Sequence, residues 1–220
     1  MRRAAECEWL AIAASTGLFV AVAIAVDRGA TDTFDRALLL SMRRPGDLSM
    51  AGPPWLRQGA LDITALGGPT IVFLIVAASA TFLALNRSRR DALWLSGCAS
   101  SGYVLMRLLK ALFDRPRPQV VPHAILVTDA SFPSGHAMLA AITYLTLAAL
   151  ITGNRPARYR RAARIFVWSM ASLLILAIGL TRVYFGVHWP TDVLAGWIAG
   201  GVWAIFWWRL AGIDQRSASS

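Results

Sequence analysis

Charge is scarce in this sequence, and cysteine scarcer still. Only 15% of the 220 residues are Asp, Glu, Lys or Arg, against 56% that are hydrophobic. A water-soluble domain of this size carries more polar residues and interrupts its apolar ones at regular intervals. Here the apolar residues stand in long blocks. That excludes a soluble globular protein and predicts an integral membrane protein, with one membrane-embedded domain over residues 1–220. The two cysteines, Cys7 and Cys98, offer neither a disulfide framework nor metal-ligand spacing, so both read as packing residues. Acidic residues are the rarer sign, 12 against 22 Lys and Arg, for a formal net charge of +10. In a soluble chain that excess would suggest nucleic acid as a partner. The arginines, however, cluster between apolar runs, where positive-inside topology accounts for them and no nucleic-acid partner is expected. There is no internal repeat and no low-complexity stretch.

Six apolar runs have roughly the 20 residues that a bilayer-crossing helix needs. They lie near Leu10–Val26, Gly67–Leu85, Ala92–Phe113, Ser134–Thr152, Ile165–Tyr184 and Pro190–Leu210. The expected fold is therefore all-α, a polytopic bundle of six transmembrane helices. Arg2 and Arg3 precede the first run, and Ala23-Ile24-Ala25 resembles a signal-peptide cleavage site. The run is long for a signal and has no polar region before that site, so it reads as an anchor. The connection Asn86–Asp91 holds Arg87, Arg89 and Arg90. The connection Gly153–Arg164 holds Arg155, Arg158, Arg160, Arg161 and Arg164. Both are expected on the cytoplasmic side, with the amino end and the polar, frayed tail Asp214–Ser220. Trp9, Trp94, Trp168, Trp207 and Trp208 then fall at the inner interface as an aromatic belt. The connection Asp27–Leu66 must lie outside, although Arg28, Arg36, Arg43, Arg44 and Arg57 run against the charge rule. Within it, Phe34–Met42 has helical apolar spacing and reads as a short helix in the outer interface; an ordinary solvated loop is the alternative.

This topology gathers ionisable residues at one membrane face. The third run ends there in Lys110, followed by Asp114-Arg115-Pro116-Arg117-Pro118. The fourth begins there with Phe132-Pro133-Ser134-Gly135-His136. The stretch Thr181–Asp192 joins the fifth and sixth runs and carries Arg182, His188 and Asp192. Charged groups at such depth are costly and usually have a partner or a task. Lys110, Arg117 and Arg182 are cations whose donors suit a phosphoryl group, the two arginines bidentately. Ser134 suits a helix N-cap, Gly135 lets a ligand approach the backbone, and the free N–H groups there favour an anion. His188 and Asp192 are four apart. A carboxylate on one ring nitrogen fixes the tautomer and leaves the other nucleophilic. His136 is a second imidazole, suited to donate a proton. Each element alone has a plainer reading: an interfacial arginine, a helix cap, a headgroup contact. All three segments on one face are hard to explain as structure only.

These residues resemble the type 2 phosphatidic acid phosphatases, within a superfamily that also includes soluble acid phosphatases and vanadium haloperoxidases. The lysine at Lys110 followed after six residues by Arg117-Pro118 matches the first signature. Pro133-Ser134-Gly135-His136 matches the second. Arg182, His188 and Asp192, separated by five and three residues, match the third. Thr181 stands where the family most often has serine, but keeps a hydroxyl. The resemblance covers Lys110 to Asp192 and implies a mechanism. His188 attacks phosphorus to give a phosphohistidine, with Asp192 orienting it. His136 protonates the leaving oxygen and then activates water. Lys110, Arg117, Arg182, the Ser134 hydroxyl and the Gly135 amide hold the phosphoryl oxygens. Neither a metal nor a cofactor is implied, and no carboxylate cluster suited to magnesium lies near these residues.

The expected function is a metal-independent lipid phosphate phosphatase in a bacterial-type inner membrane, with its active site on the outer face. Its substrate would be a membrane lipid phosphate: undecaprenyl diphosphate, phosphatidic acid or phosphatidylglycerol phosphate. Phosphoryl transfer to a lipid or sugar acceptor is the alternative within enzymes. A lipid-phosphate binding or transport protein is the alternative outside them. Arg107 is placed to touch a diphosphate or headgroup, or to pair with Asp62 or Asp114. Asp114 has the spacing to pair with Lys110. Tyr103, Phe185 and Trp189 could line a groove for the lipid tail, with interfacial anchoring the better reading for Trp189. His123 reads mainly as a solvated loop residue.

Overall fold

The computed structural model describes residues 2–123, 125, 127–153 and 161–211, the side chains of residues 2–8 excepted. Arg155, Arg158, Arg160 and the tail Asp214–Ser220 lie outside the described residues, as does the side chain of Cys7. The described residues form eight helices: α1 (Arg2–Asp27), α2 (Asp32–Ser41), α3 (Pro54–Ala65), α4 (Pro69–Leu85), α5 (Arg89–Phe113), α6 (Gly135–Gly153), α7 (Arg161–Tyr184) and α8 (Pro190–Ala211). Among them there is no strand, only an isolated bridge between Arg43 and Met50. The all-α expectation is met.

The expected count of six spans is met only more coarsely. Four helices are long and apolar enough to cross a membrane: α1 from Trp9 onward, α6, α7 and α8. The pair α3 and α4, bent by 51° at its break, would make a fifth. Helix α5 has ample length at 25 residues. Its apolar character, however, is diluted by Ser96, Ser100, Ser101, two glycines and Arg107.

The segment Asp27–Leu66 holds more structure than its sequence pattern suggests. Helix α2 falls where Phe34–Met42 was expected to be helical, but it does not simply lie in the interface. It buries Asp35 and Leu39 and packs on α8. Helix α3 was not anticipated, because Arg57, Gln58, Gly59 and Asp62 break up its apolar spacing. Pro54 opens it at a first-turn position that needs no N–H donor. It buries Ala60 and Thr64 and packs on α7.

Helix α6 is the centre of the bundle. Of its apolar span, 67% is buried within the protein, against 6% for that of α1 and 22% for that of α7. Where it meets α8 it presents small residues, Ala137 and Ala141, and α8 answers with Gly196 and Gly200. A methyl group at Gly196 would stand 2.7 Å from the Ser134 carbonyl oxygen, and one at Gly200 would stand 2.6 Å from that of Met138. Two small residues four apart thus let the α6 and α8 backbones touch, as in close membrane helix pairs. The same approach lets the Ser134 N–H donate to the Asp192 carbonyl at 2.9 Å.

The two ends of the bundle differ in character. At one end Trp94 donates to the Trp207 carbonyl at 2.7 Å and stacks edge-on against Trp208. There Arg209 lies over the ring of Trp9, and Trp168 donates to Thr152. Trp94 is only 5% exposed, so it packs helices together. At the other end α5 stops, α6 and α8 start, and α7 stops. Cys98 lies buried in the core between these ends, as a packing residue should.

Candidate active site

Helix ends bring Lys110, Ser134, His136, Arg182 and Asp192 to one end of the bundle, with Arg117 and His188 on the turns between them. Asp114 ends α5 in the left-handed region, φ +39°, and Pro116 prevents the helix from resuming. The chain then carries Arg115 and Arg117 back over the bundle end. Lys110 is in the last turn of α5, His136 in the first turn of α6, Arg182 in the last turn of α7, and Asp192 in the first turn of α8. His188 sits in the turn between α7 and α8. It follows Gly186, whose φ of +72° a side chain would strain. His136 lies within electrostatic range of Arg182, His188, Lys110 and Arg117.

His188 is 2% exposed and Asp192 fully buried. The imidazole Nδ1 lies 3.5 Å from an Asp192 carboxylate oxygen and 3.4 Å from the Ser131 hydroxyl. Its Nε2 lies 3.2 Å from the Arg117 guanidinium. An arginine only donates, so Nε2 accepts and Nδ1 carries the proton, facing the carboxylate. Burial drives the His188 imidazole down to about 3, against the opposing hydrogen bond and charge of Asp192. The ring is therefore neutral at neutral pH, with the Nε2 lone pair turned toward a cation.

Asp192 is held from several directions. One carboxylate oxygen accepts from the Trp189 N–H at 2.8 Å and from the Ser131 hydroxyl. The other accepts from Arg115 at 2.7 Å. On the opposite side of His188, Arg117 donates to the Val187 carbonyl at 2.5 Å and to the Asp129 carbonyl at 2.8 Å. It also pairs with the Asp129 carboxylate at 2.5 Å. Lys110 pairs with the same carboxylate at 3.2 Å and donates to the Ala130 carbonyl. Burial would raise the Asp129 carboxyl, but Lys110 and Arg117 outweigh it and hold the group below the usual range. The partner of Lys110 is thus Asp129, not Asp114 as its helical spacing suggested.

Arg182 does not snorkel to the interface. It is 2% exposed and donates to the Thr64 hydroxyl at 2.9 Å. Its Nε and the Ser134 hydroxyl are buried donors with no hydrogen-bond partner among the described residues. Ser134 occupies the N-cap position expected of it, but its side chain makes no cap bond, so the hydroxyl is uncommitted. Gly135 lies buried against Met106 and Lys110. Beside His136 the α3–α4 turn comes close: a methyl group at Gly68 would lie 3.7 Å from the His136 Nε2.

The lesser candidates scatter. Arg107 is exposed on α5. His123 is exposed and bonds the Pro118 carbonyl through Nε2. The Thr181 hydroxyl donates within its own helix, to the Ile178 carbonyl at 2.6 Å. Phe185 is fully buried and cannot line a groove, and Tyr103 stacks on Phe73. Trp189 is half-buried under Arg115 and donates to the Pro116 carbonyl. An apolar groove of about 540 Å³ lies instead between α3 and α7. Trp55, Leu56, Gly59 and Leu180 line it, and it reaches Ile63 and Thr181, next to Thr64 and Arg182.

Sequence reasoning missed Asp35, Thr64, Arg115, Asp129 and Ser131. Asp35 alone left a usable signal, since it shares the inward face of α2 with Leu39. An acid on an apolar stripe needs a partner.

The chain is similar to several known proteins. Phosphatidylglycerophosphatase B of Bacillus subtilis (strain 168) is 26% identical over 198 residues, 90% of this chain and 92% of that protein. The undecaprenyl-diphosphatase of Sulfolobus acidocaldarius is 34% identical over 106 residues, 48% of this chain but only 44% of that protein. The crystal structure of a transmembrane PAP2 type phosphatidylglycerolphosphate phosphatase from Bacillus subtilis superposes with a TM-score of 0.79 at 25% identity, covering 93% of this chain and 96% of that one. The profile of the PAP2 superfamily matches residues 91–216, more than half of the chain and all three signature segments, and the protein belongs to that superfamily.

Proposed function

We propose that this protein hydrolyses the phosphate ester or diphosphate of a membrane lipid through a phosphohistidine on His188. One observation carries the reading: a buried, neutral imidazole with Nδ1 toward Asp192 and Nε2 toward Arg117. Uncommitted donors on Ser134 and Arg182 lie at the same bundle end. Nε2 attacks phosphorus, and Asp192 offsets the charge that the ring gains. His136 protonates the leaving oxygen, then takes a proton from the water that releases phosphate. Lys110, Arg117, Arg182, the Ser134 hydroxyl and the Gly135 N–H hold the equatorial oxygens, where charge shifts in the transition state. These cations supply the positive charge, so the reading needs no metal.

In this reading the whole chain is one membrane domain with six spans: α1, α4 with its bent partner α3, α5, α6, α7 and α8. The tryptophan-rich end faces the cytoplasm with both termini, and the site faces outward. The substrate's phosphate enters from water while its tail lies in the groove between α3 and α7. Among candidates, phosphatidylglycerol phosphate is favoured by the relative matched over most of both chains, with undecaprenyl diphosphate and phosphatidic acid next. The test is phosphate release by the purified protein in detergent on these three lipids. Activity should survive a metal chelator and be blocked by vanadate, which mimics the transferring phosphoryl group. Activity lost in chelator and restored by magnesium would overturn the metal-free mechanism, and no release from any lipid would overturn the function.

A further inference from the structure

Behind Asp192, on the side away from His188, runs a buried chain of charges that the proposed reaction does not use. Arg115 spans two carboxylates. It donates at 2.7 Å to Asp192 and at 2.8 Å to Asp35, both fully buried, while its own side chain is 11% exposed. Asp35 grips the start of α8 a second time. It accepts from the Thr191 N–H at 2.9 Å and from the Thr191 hydroxyl at 2.7 Å. That N–H is in the first turn of α8, where the helix offers no acceptor of its own. Asp35 thus acts as an N-terminal carboxylate for α8 although it belongs to α2. Thr31 donates to it as well, and Asp32 stands 4.0 Å from Arg115.

Resting on the reading of His188 and Asp192 given above, we propose that Asp35 and Arg115 are positioning residues for the hydrolysis. They fix the carboxylate of Asp192 against His188 and make α2 part of the catalytic apparatus. The chemistry follows from where each oxygen points. Arg115 occupies one Asp192 oxygen and turns the other toward Nδ1 of His188. It also counters one of two negative charges that would otherwise face each other in the interior. Freed from Arg115, the carboxylate can rotate away from the ring, and His188 loses the partner that offsets its charge during attack.

The test uses the full chain in detergent, with turnover and KM on phosphatidylglycerol phosphate, vanadate affinity and a thermal midpoint. Asp35→Asn is the main variant. It keeps size, and it leaves Arg115 and Asp192 as a neutral pair. Arg115→Lys is the second, since an ammonium reaches one carboxylate but cannot fork between two. Each should lower kcat roughly 10- to 100-fold, as a small misplacement of a reacting group does. KM and vanadate affinity should stay within about twofold of the parent, because the phosphate-facing cations are untouched. The decisive readout is a cycle. In an Asp192→Asn background, Asp35→Asn should lower kcat no further, since its target is already gone. Unchanged turnover in both folded single variants, or the same loss repeated in the Asp192→Asn background, overturns the proposal. Failure of both single variants to fold does so too, since the network is then structural. An inactive parent protein overturns instead the functional reading on which this rests.

Discussion

The two nitrogens of His188 look into different kinds of protein. On the Nε2 side stand Lys110, in the last turn of α5, and Arg117 and Asp129, on the loop beyond it, with side chains 6%, 10% and 40% exposed. On the Nδ1 side stand Asp192, Ser131 and Asp35, each fully buried, and Arg115, 11% exposed, which bonds both carboxylates. Among the charges on the first side, Asp129 can leave its partners at modest cost, because its carboxylate is 40% exposed and exposed pairs are worth little. Those on the second cannot, because a buried charge left without its partner is expensive. The difference separates a face made to exchange partners from one made to keep them. Asp129 now sits between the cations that would take a phosphoryl group, so a substrate phosphate must displace a carboxylate already in place.

The largest test of this contrast removes the ring that divides the two sides. His188→Ala should lower turnover on the order of 10⁴-fold or more. It should also abolish any phosphoenzyme trapped from labelled substrate in an alkaline, denaturing-detergent quench, which preserves the acid-labile P–N bond. A labelled phosphoenzyme that persists in this variant would move the nucleophile elsewhere. Next comes the closed side. Asp192→Asn should lower kcat roughly 10²- to 10⁴-fold while leaving KM nearly unchanged, since the carboxylate orients the ring and does not touch substrate. An increase in KM with kcat preserved would erase the distinction between the two sides. The smallest effect belongs to the open side. Asp129→Asn should tighten vanadate inhibition about threefold, by removing a competitor for Lys110 and Arg117. Weaker inhibition would mean that Asp129 organises the cations and does not compete with the ligand.

The open side was mostly legible in the sequence and the closed side mostly not, for a physical reason. Lys110, Arg117, Ser134, His136, Arg182, His188 and Asp192 stand at the ends of long apolar runs. Hydropathy alone therefore sorts them to one face, and the resemblance of their spacing to known signatures suggests the chemistry. Asp35 and Thr64 come from short helices inside a connection whose apolar pattern is broken, so nothing local predicts where they dock. Arg115 looked like one more basic residue beside Pro116. Only the turn made by Asp114 and the position of α2 reveal that it points inward. Asp129 belongs to a loop with no periodicity, and its pairing with two cations distant in sequence is purely tertiary. The fold shows the same division. The long helices match the apolar runs to within a few residues, except that α1 begins eight residues before its run. Helix α3 went unseen, and α2 was given an interface where it has a docking site.

The contact between α6 and α8 bears on how such a centre behaves in membranes of varying thickness. Bundles adapt to thinner or thicker bilayers by tilting their helices, and tilt displaces helix ends relative to one another. At Gly196 and Gly200 the two backbones meet with no side chain between them. The Ser134 N–H and the Asp192 carbonyl then tie the two helix starts directly. This contact favours the two helices tilting as one body, which keeps the start of α6 in register with the carboxylate behind His188. On the proposed reading, a change of lipid alters how readily a tail reaches the groove between α3 and α7 before it alters the spacing of the groups proposed to hold the phosphate.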